Sequence, residues 1–412
     1  MPHKDWIWCG AYMKSIIRKI VIRITPALWR FDINRLLRGN HKITSGEKAK
    51  RAAGRVALVR LDAIGDFIIW LDSARQFRKY FADKTLLLVC NKACVRIAEE
   101  SGLFDEIIPI DTGRLNYAGN FSFRKQLVRE LNEVCVELLI QTAFTRRVYT
   151  DVVASAIAAS KKITIRDTSF DNAAKWALDK TDRIYDEVID TGGKSGQIMM
   201  ELRRNAEFTR LVTGSSFKSS VPRFDPVDID KALIPDGDYF VVFPGGSFKA
   251  KMWPMDRFAA AAQYIHDKTN WKCCVCGSPD EKYLAKALAD NYSGDVIDMT
   301  GKTSLIESIE IIRHAKFLIG NDTSGIHFAA AVGTKALCVF GGWHYGRFLP
   351  YDVEDDKGRE VPYVCVSERP CFNCHIINKS KECRSHMKKT GLFTCVDEVS
   401  VEQVKKALDK IL

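Results

Sequence analysis

The stretch YFVVFPGGSFKAKMWPMDRF (239–258) decides the fold of the second half of the chain. It opens with an apolar run, continues through the turn PGGS (244–247), and enters a segment that predicts a helix starting near Pro254. A buried strand, a glycine turn and a helix together form half of a βαβ unit, from which parallel α/β sheets are built. Ligands of such sheets bind beyond the carboxyl ends of the strands, so the turn is the first candidate site.

The chemistry of this turn suits a phosphate group. Gly245 and Gly246 let backbone N–H groups approach an anion, and Ser247 adds a hydroxyl donor. Lys249 and Lys251 supply positive charge. The spacing of a Walker loop is absent from this segment. The alternative is an ordinary glycine-containing turn with solvated lysines.

Short apolar runs alternate with helical patterns along the chain from residue 54 onward. The runs lie at 55–61, 85–90, 105–110, 136–141, 239–247, 271–278, 295–301, 315–322 and 335–342. Such alternation predicts parallel sheets with right-handed crossovers. A Pro- and Asp-rich segment (219–238) separates the two series. We therefore expect an α/β protein with two Rossmann-like domains.

The domain bounds follow from these shifts in pattern. We expect an arm over 1–52, a first Rossmann-like domain over 53–225, a second over 226–396, and a final helix over 397–412. In each domain, the residues that directly follow a strand are the ones to consider for chemistry.

A second candidate site follows the run that ends at Gly320. Asp322, Thr323, Ser324 and Gly325 supply caps and N–H groups where a helix is predicted to begin, with His327 in its first turn. This pattern favours a diphosphate bound at a helix N-terminus. The alternatives are Asp322 as a plain N-cap and His327 as a hydrogen-bonded core histidine.

Two further strand ends carry carboxylates. Asp280 and Glu281 stand near a helix start, where they suit ribose hydroxyls or, equally, the helix dipole. Asp62 and Asp66 lie in RLDAIGDFIIW (60–70), where a strand gives way to a helix. An aspartate there is either an N-cap or a general base.

The net charge of +11 is concentrated at the N-terminus. Residues 1–60 hold 14 Lys/Arg against three Asp/Glu, and the rest of the chain carries 48 of each. Within the arm, YMKSIIRKIVIRI (12–24) places its apolar residues mainly on one helical face and its basic residues on the other. A basic amphipathic helix suits an anionic membrane surface. Packing on the protein body and contact with nucleic acid are the alternatives.

No secretory signal and no apolar run of membrane-spanning length is evident. The 13 cysteines therefore indicate a reducing compartment. Cys371, Cys374, Cys383 and Cys395 have a spacing that suits tetrahedral zinc or iron, with His375 and His386 as further ligands. Unbound thiols and a disulfide are the alternatives.

The four candidate sites together resemble glycosyltransferase family 9, the bacterial heptosyltransferases of the lipopolysaccharide inner core. The resemblance covers about residues 54–410. The motifs that carry it are VRLDAIGDFIIWLDSARQFR (59–78), MELRRNAEFTRLVTG (200–214), FPGGSFKAKMWPMDRFA (243–259) and NDTSGIHFAAAVGT (321–334). Four such motifs in the family's order are a specific signal.

The resemblance implies a GT-B architecture, with two domains facing a central cleft, and inverting transfer from a nucleotide-activated sugar, usually ADP-heptose. It implies no catalytic metal. The family's base maps onto Asp66, and its donor loop maps onto Ser247 and Lys251. Its helix-start contacts map onto Asp322, Thr323 and His327. Ser324 replaces the usual glycine, and Asp62 stands where the family has a small polar residue.

The acceptor and the cell compartment are inferred more indirectly. Arg60, Arg114 and Arg124 suit an anionic acceptor, with solvated loop charges as the alternative. We expect a cytoplasmic enzyme on the inner-membrane surface that uses a glycolipid acceptor, and we expect no nucleic-acid partner. A four-cysteine iron motif occurs in relatives that add heptose to autotransporter proteins, so protein O-heptosyl transfer is the alternative. A non-catalytic nucleotide-sugar-binding relative is the third possibility.

Overall fold

The computed structural model describes residue 43 and residues 46–116, 120–167, 180–192, 198–374 and 380–412. The amphipathic helix predicted for the arm lies outside the described residues, and so does His375. Within the described ranges, the structure contains no helix long and apolar enough to cross a membrane.

The described strands alternate with helices along the chain. The strands are β1 (Arg55–Arg60), β2 (Thr85–Asn91), β3 (Glu106–Ile110), β4 (Cys135–Gln141), β5 (Ala158–Ile165), β6 (Glu187–Ile189), β7 (Tyr239–Phe243), β8 (Lys272–Val275), β9 (Val296–Asp298), β10 (Phe317–Asn321), β11 (Ala336–Val339) and β12 (Tyr363–Cys365). The α-helices are α1 (Glu47–Ala52), α2 (Ile64–Tyr80), α3 (Val95–Glu100), α4 (Thr112–Asn116), α5 (Phe121–Leu131), α6 (Val148–Ala156), α7 (Glu201–Thr213), α8 (Met255–Thr269), α9 (Lys282–Ala289), α10 (Leu305–His314), α11 (Ser324–Val332), α12 (Lys381–Thr390), α13 (Thr394–Asp397) and α14 (Val401–Leu408).

The first compact unit contains the described residues of Met1–Leu61, Phe81–Lys92 and Phe104–Asp190. Its sheet has six strands, all parallel, in the order β3-β2-β1-β4-β5-β6. The central strand β1 is apolar over Val56–Val59 and is buried throughout that run. Such burial on both faces is typical of a parallel sheet that helices cover on each side.

The second compact unit contains Asp62–Tyr80, Ala93–Leu103 and Thr191–Leu412. Its parallel sheet has the order β12-β11-β10-β7-β8-β9, which repeats the topology of the first sheet. The strand order reverses between β7 and β10, and ligands of such sheets bind at this switch point. The two six-stranded parallel sheets confirm the predicted α/β class.

The compact units interleave along the chain, because α2 and α3 belong to the second unit although they follow strands of the first. The predicted domain bounds therefore stay a prediction. Helix α14 begins where the sequence predicts a helix: Ser400 and Gln403 form a capping box at its start. Val404 and Leu408 bury its inner face in the core of the second unit.

Candidate functional site

The loop after β7 is held against the end of β10 by one buried side chain. The amide nitrogen of Asn321 donates to the carbonyl oxygen of Pro244 at 2.6 Å. The amide oxygen of Asn321 accepts from the backbone N–H of Trp253 at 2.9 Å. Because both ends of the loop bond to the same asparagine, Gly245 to Met252 forms a closed loop directly beyond the switch point.

Lys251 lies in this loop between a carboxylate and two aromatic rings. Its Nζ is 3.8 Å from Asp322 Oδ2, and its side chain is only 14% exposed. The same Nζ lies 4.8 Å from the ring centroid of Trp343 and 5.5 Å from that of Phe248. A cation over an aromatic face is stabilised by the ring quadrupole. The ammonium group therefore has a defined position at the switch point.

Trp343 connects the cation to its counter-ion. Its Nε1–H donates to Asp322 Oδ2 at 3.1 Å, the same oxygen that faces Lys251. Asp322 is therefore positioned by the charge of Lys251 and by the hydrogen bond from Trp343. At 3.8 Å the carboxylate only partly neutralises the Lys251 ammonium group.

Helix α11 begins at this point, with Thr323 as its N-cap. The first N–H groups of a helix lack partners within the helix, and the helix dipole makes this end positive. The start of α11 packs tightly on the end of β7: a Cβ on Gly325 would lie 2.6 Å from the ring of Phe243. Glycine at this position lets the helix N-terminus approach the strand end, next to the loop that carries Lys251.

The start of α2 also lies close to the start of α11. A Cβ on Gly65 would lie 3.1 Å from His327 Cδ2 and 3.6 Å from the Cα of Ser324. Asp66 follows Gly65 in the first turn of α2 and is half-buried. The contact between the two helix starts therefore places Asp66 beside the positive end of α11.

His327 is buried in the first turns of α11 and contacts Tyr351. Its Nδ1 lies 2.8 Å from the Tyr351 hydroxyl oxygen, and the two rings are stacked with an interplanar angle of 6°. Burial lowers the pKa of His327 to about 4, although the charge of Asp322 acts in the opposite direction. The imidazole is therefore neutral near pH 7.

Glu281 and Asp280 lie beyond the end of β8, at the opening of α9. Glu281 forms a capping box with Ser278, accepting from its backbone N–H at 2.7 Å and from its hydroxyl at 2.9 Å. The other carboxylate oxygen faces the loop after β7, because a Cβ on Gly245 would lie 2.1 Å from it. Asp280 is exposed. Glu281 thus caps a helix and also borders the loop that carries Lys251.

The remaining predicted donor residues are at the surface of that loop. Gly246, Ser247 and Lys249 follow the strand end, and Ser247 and Lys249 are exposed. Lys249 Nζ lies 5.5 Å from the ring of Tyr283, an exposed residue of α9. The structure thus brings together the loop, the α11 start, Asp66 and Glu281 in one unit.

The three arginines predicted for the acceptor belong to the first unit. Arg60 ends β1 and is buried, and its Nη1 donates to the carbonyl oxygen of Thr142 at 3.0 Å. Arg124 is buried and lies 4.8 Å from the ring of Phe121. Arg114 is exposed, with its guanidinium 4.2 Å from the ring of Phe123. Their part in binding an acceptor stays a prediction.

The four predicted metal ligands line one pocket. Cys371, Cys374, Cys383 and Cys395 share it with Trp343, Phe372 and Phe393. Burial and the neighbouring thiols raise the pKa of Cys395 to about 11. Within the described ranges, no three His, Cys, Asp or Glu side chains are grouped so that they could hold a metal ion. The donor set suits a thiolate metal site, but its arrangement here does not close around one.

Sequence reasoning missed three residues of this site. Trp343 and Phe248 flank Lys251, and Tyr351 contacts His327. Trp343 had a signal, because it directly follows the predicted strand run 335–342. Phe248 and Tyr351 had none, since an aromatic residue in a loop has no periodic pattern that marks its contacts.

Comparison with known proteins finds sequence similarity to one family over part of the chain. Residues 216–374 match the family model "Glycosyltransferase family 9 (heptosyltransferase)". The chain is 29% identical over 94 residues to lipooligosaccharide heptosyltransferase 2 of Haemophilus ducreyi, which is 22% of this chain. The match spans 27% of the length of that curated relative.

Solved structures of the same fold match far more of the chain. A glycosyl transferase family 9 protein from Veillonella parvula has a TM-score of 0.66 at 17% identity, covering 90% of this chain and 99% of its own. The E. coli heptosyltransferase WaaC with ADP-2-deoxy-2-fluoro heptose has a TM-score of 0.59 at 16% identity, covering 86% and 99%. The predicted fold class, GT-B with two Rossmann-like parallel sheets, is confirmed by these likenesses. The chain is thus similar in sequence to glycosyltransferase family 9 over residues 216–374, and it shares the fold of solved heptosyltransferases.

Proposed function

We propose that the protein is an inverting glycosyltransferase that moves heptose from ADP-heptose onto a lipopolysaccharide-core or related lipid-linked acceptor. The observation that carries the proposal is the contact between the starts of α2 and α11, where Asp66 lies beside the N-terminus that follows Asp322. The N-terminus of α11 suits an anion, and the start of α2 carries the carboxylate of Asp66.

The donor is bound through its diphosphate. The N–H groups that begin α11, around Thr323 and Ser324, donate to the phosphate oxygens, as do the loop of Gly245 to Ser247 and the ammonium of Lys251. ADP-heptose as the donor is supported by the WaaC complex with a fluorinated ADP-heptose, a protein of the same fold. Glu281 and Asp280 accept from the ribose hydroxyls in this account.

The reaction is one displacement with a proton transfer. Asp66 takes the proton of an acceptor hydroxyl, and the oxygen of that hydroxyl forms a bond to the anomeric carbon on the face opposite the nucleotide. The bond from the anomeric carbon to the phosphate oxygen breaks, and its electron pair leaves with the ADP. Lys251, Ser247 and the N–H groups of α11 stabilise the charge that develops on the leaving diphosphate. This chemistry uses no metal.

The acceptor side and the cell compartment rest on charge. The basic N-terminal sequence, with 14 Lys/Arg within residues 1–60, supports binding at the cytoplasmic face of an anionic inner membrane. Arg114 is exposed and suits an anionic glycolipid.

One observation favours a second candidate function, protein O-heptosyl transfer. Four cysteine side chains line one pocket, although among the described residues they are not grouped closely enough to hold a metal ion, and relatives that modify autotransporter proteins carry a four-cysteine iron motif in a comparable place. Structural zinc or iron at Cys371, Cys374, Cys383 and Cys395 is therefore part of this alternative. Such a metal would order the pocket and takes no part in the transfer step.

The experiment is a thermal-shift screen with ADP-, UDP-, GDP- and CMP-sugars. We expect ADP-sugars to raise the melting temperature, and we expect Lys251→Ala to abolish most of that shift. Lys268→Ala is the matched control. Lys268 lies in the last turn of α8, at the end far from the loop that carries Lys251, and it pairs with Asp409. A shift with UDP-sugars alone would refute the donor, and no shift with any sugar nucleotide would refute the proposed function.

A further inference from the structure

The hydrogen bond between Tyr351 and His327 decides which ring nitrogen of His327 carries the proton. The imidazole is neutral near pH 7, because burial lowers the pKa of His327 to about 4. A neutral imidazole has one nitrogen that donates and one that accepts. Its Nδ1 lies 2.8 Å from the Tyr351 hydroxyl oxygen, so one of these two groups donates the hydrogen bond and the other accepts it.

The hydroxyl of Tyr351 is the donor in this bond. Burial raises the pKa of Tyr351, so the hydroxyl keeps its proton. Among the described residues, His327 Nδ1 is the hydrogen-bond partner of that hydroxyl. Tyr351 is half-buried, and a hydroxyl proton left without an acceptor away from water costs about 1–3 kcal/mol. The hydroxyl therefore donates to Nδ1, and the proton of the imidazole lies on Nε2.

The protonated edge of the ring faces the contact between the two helix starts. A Cβ on Gly65 would lie 3.1 Å from His327 Cδ2 and 3.9 Å from Nε2. This edge is thus turned toward the first turn of α2 and toward Ser324. A donor N–H on this edge adds to the N–H groups that begin α11.

The position of Tyr351 is fixed by packing. Its ring packs on a buried apolar cluster formed by Ile69, Met200 and Leu202. Its ring also stacks on His327 with an interplanar angle of 6°. The tyrosine therefore holds the histidine ring in one orientation as well as in one tautomer.

We propose that Tyr351 is a positioning residue that holds His327 as the Nε2–H tautomer, so that Nε2–H donates to the diphosphate of the bound nucleotide. This proposal rests on the proposed function, which supplies the diphosphate. An Nε2 that already carries a proton cannot accept another from the acceptor hydroxyl. His327 is thus a donor of neutral charge, and the role of base is left to Asp66.

The first test is spectroscopic and needs no substrate. Two-bond ¹H–¹⁵N spectra of the full-length protein with ¹⁵N-labelled histidine report the tautomer of each imidazole, and His327→Gln identifies the resonances of His327. We expect the proton on Nε2 in the wild-type protein and a mixture of tautomers in Tyr351→Phe. Tyr345→Phe is the matched control, because Tyr345 packs against Phe372 with the two rings tilted, and this change should leave the His327 signals unchanged.

The second test measures affinity for ADP and for adenosine. Tyr351→Phe should weaken ADP binding about three- to tenfold, the value of one hydrogen bond, and should leave adenosine binding unchanged. Wild-type His327 with its proton on Nδ1 would overturn the proposal even if Tyr351→Phe failed to fold. Unchanged His327 signals or unchanged ADP affinity in Tyr351→Phe would also overturn it. If the proposed function itself were wrong, the wild-type protein would not bind ADP.

Discussion

The ammonium group of Lys251 lies 4.8 Å from the centroid of the Trp343 ring. The indole N–H of the same tryptophan donates to Asp322, which is the counter-ion of Lys251. One aromatic residue thus positions both members of the ion pair at the start of α11.

Trp343→Phe should therefore weaken donor binding without unfolding the protein. The change removes the N–H donor to Asp322 and leaves Lys251 a smaller ring face. A lost hydrogen bond and a weakened cation–π contact predict a rise of about tenfold in the Kd for ADP-sugars. Isothermal titration calorimetry measures this rise.

Trp271→Phe is the matched control for that experiment. Trp271 directly precedes β8, at the amino end of the strand, whereas the site lies beyond the carboxyl ends. An equal loss of affinity in both variants would show that the effect is not specific to the Lys251 environment.

Gly65→Ala should destabilise the protein and reduce transfer. Its Cβ would lie 3.1 Å from His327 Cδ2, and the imidazole is held in place by Tyr351 on its other side. Overpacking of a fixed contact typically costs about 1–3 kcal/mol. Urea unfolding measures the loss. Gly113→Ala is the control, since its nearest contact would be at 3.4 Å and Gly113 is exposed. Equal stability of Gly65→Ala and wild type would contradict a tight contact between the two helix starts.

The stability of the protein should fall between pH 6.5 and about pH 4 through His327. Its pKa is about 4 in the folded protein, against an ordinary value of 6.5. Below pH 6.5 the unfolded chain binds a proton that the folded protein does not bind, so unfolding becomes easier. The stability that depends on a neutral His327 is fully present above pH 6.5 and is lost as the pH falls through about 4. The total loss in the free energy of unfolding is roughly 3 kcal/mol at most.

His327→Gln is the comparison for this pH dependence. Glutamine does not titrate, so the variant should show a smaller loss of stability over the same range in denaturant unfolding. His314→Gln is the control, because the ring of His314 bonds to a backbone carbonyl at the end of α10. Identical pH profiles for wild type and His327→Gln would contradict a buried neutral histidine.

Deletion of residues 1–42 should abolish binding to vesicles that contain anionic phospholipid. Residues 1–42 hold nine Lys/Arg against two Asp/Glu, and each Lys/Arg near such a surface contributes about 1 kcal/mol. Sedimentation with vesicles of anionic and of neutral phospholipid measures the effect. Undiminished vesicle binding by the deletion variant would show that the arm does not mediate membrane binding.

The metal proposal is tested by metal analysis of protein purified without oxygen. About one zinc or iron per chain, lost in Cys371→Ser/Cys374→Ser, would support a thiolate site and favour the second candidate function. A metal-free protein whose pocket thiols all react with a thiol reagent after mild unfolding would refute it.

The sequence predicted the strands that build the switch point because these are continuous apolar runs. It missed β5, where Lys161 and Lys162 interrupt the apolar run and only the fold shows that Lys162 is buried. It also missed the three-residue edge strands β6 and β12, although it predicted β9, which is equally short.

The candidate site was predictable wherever it consists of strand ends. The loop with Lys251, the start of α11 and the turn with Asp66 each follow an apolar run. The contacts between these segments were not predictable. The proximity of Gly65 to His327 and the bond from Tyr351 depend on how distant parts of the chain pack, and sequence spacing does not encode that packing.

The transfer rate of Asp66→Asn tests whether Asp66 is the base of the sugar transfer. The assay uses ADP-heptose and lipopolysaccharide that lacks its core heptoses, with ADP release measured alongside the product. Asparagine keeps the size of the side chain but cannot take the proton. We expect that wild type transfers heptose and that the variant binds ADP normally but transfers about 10²- to 10⁴-fold more slowly. Transfer by Asp66→Asn at near the wild-type rate would contradict this expectation.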